Sequence, residues 1–347
     1  PRLRAGQVAK IRVKYAGDPR SVSYADEAPW LATANEVSAI NEPHIAPLWF
    51  PANDHPRDRA RVKVRVEVPR GLEGISNGVF VKKKRAGAYT RWTWRSTDPM
   101  APYLAFLLVG DFRLQHGVTA GRPWTNAVSR QLSAEKQASG LTWLKKTPTV
   151  VSWLEGELGA YPFSVTGGAI TSVPTGFALE NQTRPVYPET MIGHDAIMVH
   201  ELAHQWFGDA ITVNTWREIW LNEGFATYNE ARYWESQGRR TVDEWLTDTY
   251  ASQPADSPLW DVPVSNPGPK GLFDEAVYVR GGMTLAALRR LIGDEPFAQL
   301  MRDWVSSRRG NTATTAQFMA LAEQVSGQDL DAFFKDWLVD TDRPALP

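Results

Sequence analysis

Between Gln7 and His116, apolar and polar residues alternate with a period of two. The runs are Val8-Ala9-Lys10-Ile11-Arg12-Val13-Lys14-Tyr15, Arg61-Val62-Lys63-Val64-Arg65-Val66-Glu67-Val68 and Arg91-Trp92-Thr93-Trp94-Arg95. A strand turns successive side chains to opposite faces, so each run predicts a strand with one packed and one wetted side. Pro69-Arg70-Gly71, Gly74, Gly78 and Gly87 mark turns between them, and Lys82-Lys83-Lys84-Arg85 beside Ala86-Gly87 reads as a solvated hairpin tip. Gly117 to Pro123 reads as a linker. Beyond it the spacing lengthens to that of helices, over Ala134 to Lys146, Val150 to Leu158 and most of the chain from Asp195 on, with a strand over Thr166 to Val173. Asp294-Glu295-Pro296 signals a helix start, Thr314-Thr315-Ala316-Gln317 a capping box, Gly327 a stop, and Asp329 to Leu338 a last amphipathic helix. Ser252 to Lys270 holds five prolines and no periodicity, and predicts a long loop beside a cleft. The pattern is α+β: a β-rich domain over residues 1–117, incomplete at its start, and a mainly helical domain over residues 118–347.

Composition narrows the function classes. Of 347 residues, 38 are Lys or Arg and 39 are Asp or Glu, a formal charge of -1. Nucleic-acid binders normally carry a basic excess, so no nucleic-acid partner is expected. The longest apolar stretch, Tyr103 to Val109, is far short of the ~20 residues of a membrane helix, so no integral membrane segment is expected. Cys is 0, which removes disulfides, thiolate nucleophiles and cysteine metal sites. Trp is 15, which suggests large aromatic cores or a ligand cleft lined with rings. There is no phosphate-binding loop and no dinucleotide fingerprint.

The strongest chemical signal is His200-Glu201-Leu202-Ala203-His204. Residues four apart share a helix face, so both imidazoles can grip one ion while Glu201, one step round, reaches a bound water. Ala196 to Val199 before it and Gln205-Trp206-Phe207 after it support a helix, with Asp195 as its N-cap and Gly208 as its stop. Eighteen residues separate His204 from Glu223, which stands in Trp220-Leu221-Asn222-Glu223-Gly224-Phe225-Ala226 at the start of another amphipathic run. A third ligand from a neighbouring helix gives His200, His204 and Glu223 plus an open position, the catalytic form of zinc site, and implies one Zn(2+) ion. Thr227, four residues on, is a candidate support for Glu223. His44, His55, His116 and His194 read as structural.

These two segments resemble the gluzincin zinc aminopeptidases, the family of aminopeptidase N and leukotriene hydrolase. That family carries Gly-Ala-Met-Glu-Asn before the zinc helix, where this chain has Phe177-Ala178-Leu179-Glu180-Asn181, keeping the Glu-Asn pair but not the glycine and methionine. The resemblance implies that Glu180 binds the free α-amino group of a substrate, with Ala178 and Asn181 beside it. Asn41-Glu42-Pro43, followed by Trp49-Phe50-Pro51-Ala52-Asn53-Asp54-His55-Pro56, is similar to another family segment and makes Glu42 the second anchor for the amine. Val277-Tyr278-Val279-Arg280-Gly281 resembles the family's Tyr-x-Lys/Arg-Gly, whose tyrosine is catalytic. The resemblance runs from about Gln7 to Leu338 and implies a thermolysin-like catalytic domain without the large C-terminal helical domain of long members. A short bacterial form, trimmed at its N-terminus, is the expectation, exported rather than cytoplasmic.

The implied chemistry is that of a zinc aminopeptidase acting on peptides with a free N-terminus. A zinc ion makes a water acidic enough for Glu201 to take its proton, and Glu201 passes that proton to the leaving amine. By the family analogy, the Tyr278 hydroxyl steadies the carbonyl oxygen as it gains charge. The alternatives are a thermolysin-type endopeptidase, which leaves Glu180-Asn181 and the β-rich first third unexplained, and an inactive peptide-binding scaffold. The retention of His200, Glu201, His204 and Glu223 argues against the scaffold.

Overall fold

The computed structural model describes residues 4, 6–23, 28, 30–40, 42, 43 and 46–347; Asn41 and His44 lie outside the described residues. The first nine strands are β1 (Leu31–Ala32), β2 (Val37–Ala39), β3 (Lys63–Pro69), β4 (Glu73–Ile75), β5 (Val79–Ala86), β6 (Tyr89–Arg95), β7 (Leu107–Gly110), β8 (Phe112–Thr119) and β9 (Arg122–Ser129). One antiparallel sheet has the order β1-β2-β7-β4 and another β3-β6-β5. In the second, Val64 pairs with Trp94 and Val66 with Trp92, so the apolar members of both alternating runs share one face. Both tryptophans are buried there, in a core shared with Ile75, Phe106 and Leu108. Lys82 to Arg85 are exposed on the edge strand β5 itself rather than on a hairpin tip.

Two expectations for this region are corrected. Val8 to Tyr15 has the alternation of a strand but forms none, and Val8 and Ile11 are 93% and 83% exposed. Alternation makes a strand only where a neighbouring strand takes up the backbone hydrogen bonds. Gly117 to Pro123 is not a linker. It belongs to the β8–β9 hairpin, which turns at Ala120 and Gly121, both at positive φ, and pairs Gly117 with Trp124 and Val118 with Pro123. The glycine and proline there mark a turn within one sheet, so paired strands run across the 117/118 boundary.

That sheet is mixed. After α1 (Ala134–Leu144) and α2 (Thr147–Leu158), β10 (Thr166–Thr171) pairs parallel with β9 and with β11 (Val186–Pro188), giving the order β11-β10-β9-β8. Buried polar groups join it to the N-terminal sheets. The Glu36 carboxylate accepts from the Ser172 backbone N–H at 3.0 Å and its hydroxyl at 2.8 Å. Arg184, fully buried, lies over the Trp94 ring at 4.7 Å and donates to the Thr125 carbonyl at 3.1 Å.

The remainder is helical: α3 (Asp195–Ala203), α4 (Trp220–Ser236), α5 (Val242–Ser252), α6 (Glu275–Ile292), α7 (Asp294–Arg308), α8 (Thr315–Ser326) and α9 (Asp331–Phe334), with the short parallel pair β12 (Thr212–Val213) and β13 (Thr312–Ala313). The capping box at Thr314 and Gln317 is formed, and Gly327 ends α8 in the left-handed conformation. The expected last helix is shorter: α9 gives way to a widened π turn over Lys335–Val339. Arg280 accounts for this. Fully buried on α6, it donates to the carbonyls of Trp337 (3.0 Å), Asp336 (2.8 Å) and Asp340 (2.7 Å), drawing them out of regular helical pairing, and also to Trp260 (2.9 Å). The same contact anchors the Ser252–Lys270 loop, whose Trp260 and Val264 are buried. The loop packs against α6 and does not border the cleft. Most tryptophans likewise fill cores, among them Trp94, Trp206, Trp220, Trp304 and Trp337.

Candidate metal centre and substrate cleft

Helix α3 carries the two histidines one turn apart, His204 standing at its C-cap. Its N-cap is His194 rather than Asp195. Asp195 sits in the first turn and accepts from the Trp143 indole at 2.9 Å and the Lys146 ammonium at 2.7 Å. A carboxylate there also suits the positive end of the helix. Helix α4 packs beside α3 and presents Glu223 in its first turn. One Glu223 oxygen lies 3.2 Å from His200 Nε2 and 3.3 Å from His204 Nε2.

Ligating atoms of His200, His204 and Glu223 lie within 4.8 Å of one another, and all three residues are buried. The outer nitrogens are also committed. His200 Nδ1 lies 2.7 Å from a Glu230 oxygen and His204 Nδ1 3.0 Å from the Phe207 carbonyl. Such partners keep the proton on Nδ1 and leave Nε2 free for a metal. This donor set fits zinc. Burial disfavours charge on each member, but mutual attraction wins: His204 is raised to about 9 by Glu223 and Glu180, and Glu223 is held down at about 2 by His204 and His200.

Glu201 is buried beside the triad, and burial lifts its carboxyl to about 8 although the two histidines pull the other way. Tyr278 lies one turn into α6, a helix capped by Asp274 accepting from the Ala276 N–H at 2.9 Å. Its ring stacks on His200, with centroids 6.0 Å apart and planes 23° apart. Burial first, and Glu223 next, push its hydroxyl well above the usual range, so it stays a proton donor.

A cleft of ≈ 830 Å³ runs past these groups and is lined by Glu42, Ala178, Glu180, Glu201, Glu223 and Tyr278 among others. Glu42 and Glu180 are 8% and 2% exposed. Burial raises both, and Glu180 adds to the shift at Glu42. Asn181, expected among the substrate contacts, does not line the cleft; its amide turns inward to the Leu104 carbonyl at 3.1 Å. Thr227 does line it, and so does Glu230, which joins the metal centre through His200.

Three contributors escaped the sequence reading. Glu230 follows Glu223 by seven residues, two helical turns, and that spacing was a usable signal. Tyr103 donates its hydroxyl to Glu180 at 3.0 Å from 77 residues away, and nothing local marks it. Gln205, next to His204, donates to the Glu180 carbonyl at 2.8 Å and accepts from the Thr183 N–H at 2.7 Å, clamping that segment to the zinc helix.

Residues 168–337 match the Peptidase family M1 domain, a span that holds the three ligands, Glu201, Glu180 and Tyr278. The chain carries a peptidase family M1 domain. An M1 zinc metallopeptidase mutant from Deinococcus radiodurans, bound to a Tyr-Ser-Ala substrate, superposes with a TM-score of 0.83 at 29% identity, over 95% of this chain and 75% of that one. A two-domain M1 zinc metallopeptidase mutant bound to L-tryptophan gives 0.84 at 28% identity, over 95% and 76%. Among curated relatives, a probable aminopeptidase 2 from Sulfurisphaera tokodaii is 26% identical, over 86% of this chain and 40% of that protein. A leucyl aminopeptidase from Saccharolobus solfataricus is 25% identical over the same shares. This M1 chain therefore spans about 40% of the length of those two curated relatives. The β-rich first part and helical second part are those of the M1 structures. No helix among the described residues is long and apolar enough to cross a membrane.

Proposed function

We propose that this M1 chain is a zinc-dependent aminopeptidase that holds one ion on His200, His204 and Glu223 and removes the first residue of peptides with a free N-terminus. The observation that carries the reading is the placement of two buried carboxylates, Glu42 and Glu180, in the same cleft as the ligand triad. Carboxyl groups buried this deeply beside one another favour a ligand that brings a positive charge. A protonated terminal amine pairs with both, whereas an internal peptide N–H carries no charge to offer.

When bound, the zinc polarises the scissile carbonyl and acidifies a water. Glu201, buried beside the ligand triad, takes a proton from the attacking water and returns it to the leaving amine. The Tyr278 hydroxyl donates to the carbonyl oxygen as charge develops there. Glu180, fixed by Tyr103 and Gln205, and Glu42 set the register so that the first peptide bond meets Glu201.

The deciding experiment compares a peptide with its N-acetylated copy, with chelator and with zinc restored. Zinc-dependent release of the first residue from the free peptide alone is the expected result. Cleavage of both copies makes the chain an endopeptidase and removes Glu42 and Glu180 from amine binding. Failure to cleave either, with zinc bound, leaves a binding scaffold. Glu180→Ala is expected to lower cleavage of aminoacyl reporters, and parental rates in that variant overturn its assignment.

A further inference from the structure

Away from the cleft, the outer face of the β3-β6-β5 sheet gathers positive charge. The register sets Lys63 opposite Arg95, Arg65 and Lys82 on either side of Thr93, and Glu67 and Lys84 on either side of Arg91. Residues directly opposite share a face, so six cations and one carboxylate stand together on the side away from Trp92 and Trp94. Arg91 pairs with Glu67. The other five cations are exposed and have no acidic partner among the described residues. Thr93, at the centre of the face, is buried, while its neighbours Arg65, Lys82, Arg91 and Arg95 are wholly or partly exposed. Two like-charged pairs, Lys63 with Arg95 and Arg91 with Lys84, are directly opposed, which costs the sheet stability unless an anion lies over them. Lysines on an outer strand also guard it against pairing with other chains, but that does not account for Arg91 and Arg95 on the central strand β6.

We propose that this face docks the protein on the surface of an anionic phospholipid bilayer. From the spacings of a sheet, the six cations lie within about 14 Å along the strands and about 10 Å across them. With Glu67 they give the face a formal charge of +5, and the whole chain's -1 leaves -6 for everything else. Attraction to an anionic surface is therefore local, and it fixes which side of the molecule meets that surface. A bilayer is flat and its headgroups move, so it satisfies a flat array of unpaired cations without a pocket or a set spacing. Tyr89 lies on the same face where the β5–β6 hairpin turns, and is 49% exposed. Its ring and hydroxyl suit the depth of the headgroups, one end apolar and the other wet. A single-stranded nucleic acid fits less well, because it needs a series of aromatic platforms and Tyr89 is the one aromatic side chain there. None of these residues lines the cleft, so docking leaves it open to peptides.

The test is sedimentation of the full chain with vesicles of phosphatidylglycerol and phosphatidylcholine, against vesicles of phosphatidylcholine alone. Binding to the anionic vesicles only is expected, with release at about 1 M salt, where screening shortens to about 3 Å. Arg65→Gln combined with Lys82→Gln and Lys84→Gln is expected to weaken binding about a hundredfold, each cation near such a surface being worth about fivefold. Lys145→Gln combined with Lys270→Gln and Arg302→Gln removes the same charge from exposed positions outside this sheet, and should bind as the parent does. Thermal melting shows whether both variants are folded. Equal loss in the two triple variants means attraction by net charge alone and overturns the inference. Failure to bind anionic vesicles, or equal binding to neutral ones, also overturns it. Capture by single-stranded DNA without binding to vesicles assigns the face to nucleic acid and overturns the bilayer reading. Every readout is independent of peptide cleavage, so failure here leaves the aminopeptidase reading intact.

Discussion

Gly224 of α4 lies against Gly281 of α6 so closely that a Cβ on Gly224 would stand 2.8 Å from the Gly281 carbonyl carbon and 2.9 Å from its Cα. The contact sets the distance between the helix that carries Glu223 and the helix that carries Tyr278. Gly224→Ala forces the helices apart and is expected to cost about 1–3 kcal/mol. Because Glu223 is the neighbouring residue, zinc affinity should fall as well. Gly156→Ala is the control: it sits in α2 with nothing near its Cβ position, and should be neutral or slightly stabilising. Thermal melting with zinc titration of both variants checks the pair, and equal behaviour of the two would remove the argument.

Glu230 touches the ligand set through His200 Nδ1, 2.7 Å away. Truncation to Ala frees the imidazole to rotate and removes the acceptor that fixes its tautomer, and is expected to weaken zinc binding 10–100-fold. Glu230→Gln keeps an acceptor oxygen and should lose less. Competition with a chromogenic chelator measures both, and parental affinity in Glu230→Ala would show that His200 needs no such support.

Tyr103 is 2% exposed, its ring meets Trp216 edge-on at 5.0 Å, and its hydroxyl donates to Glu180. It touches the proposed amine anchor rather than the reacting bond. Tyr103→Phe should therefore raise KM for free peptides several-fold, about one lost hydrogen bond, and change kcat less. Tyr103→Ala would instead open a cavity and lower stability. A fall in kcat alone, with KM unmoved, would remove Tyr103 from positioning Glu180.

Local and non-local information account for what the sequence made legible. His200 and His204 are four apart on one short helix, and Glu223 opens the next long one, so a spacing rule suffices to bring them together. Tyr278 needed a motif, because no periodicity relates it to α3. Tyr103 and Gln205 act through contacts to the Glu180 segment that only the tertiary fold brings together. The strand-like run Val8 to Tyr15 shows the converse, a local pattern without a neighbour to complete it. Gly117 to Pro123 shows why glycine and proline signal a turn but not whether the sheet continues through it.

Asp54 supplies a test of pH dependence away from the metal. It is about half-buried, its Oδ2 has no hydrogen-bond partner among the described residues, and burial raises its carboxyl to about 6. An unfolded chain ionises the same group near 3.8. Between those values the folded state binds more protons than the unfolded one, so stability falls as pH rises. The protonated group's contribution is fully present below the lower value and lost as pH passes about 6. Asp54→Asn removes this titration. The variant's melting temperature relative to the parent should therefore climb from about pH 4 to about pH 6 and level off above, as melting curves across that range would record. A difference that stays flat would show that water reaches the Asp54 carboxylate despite its burial.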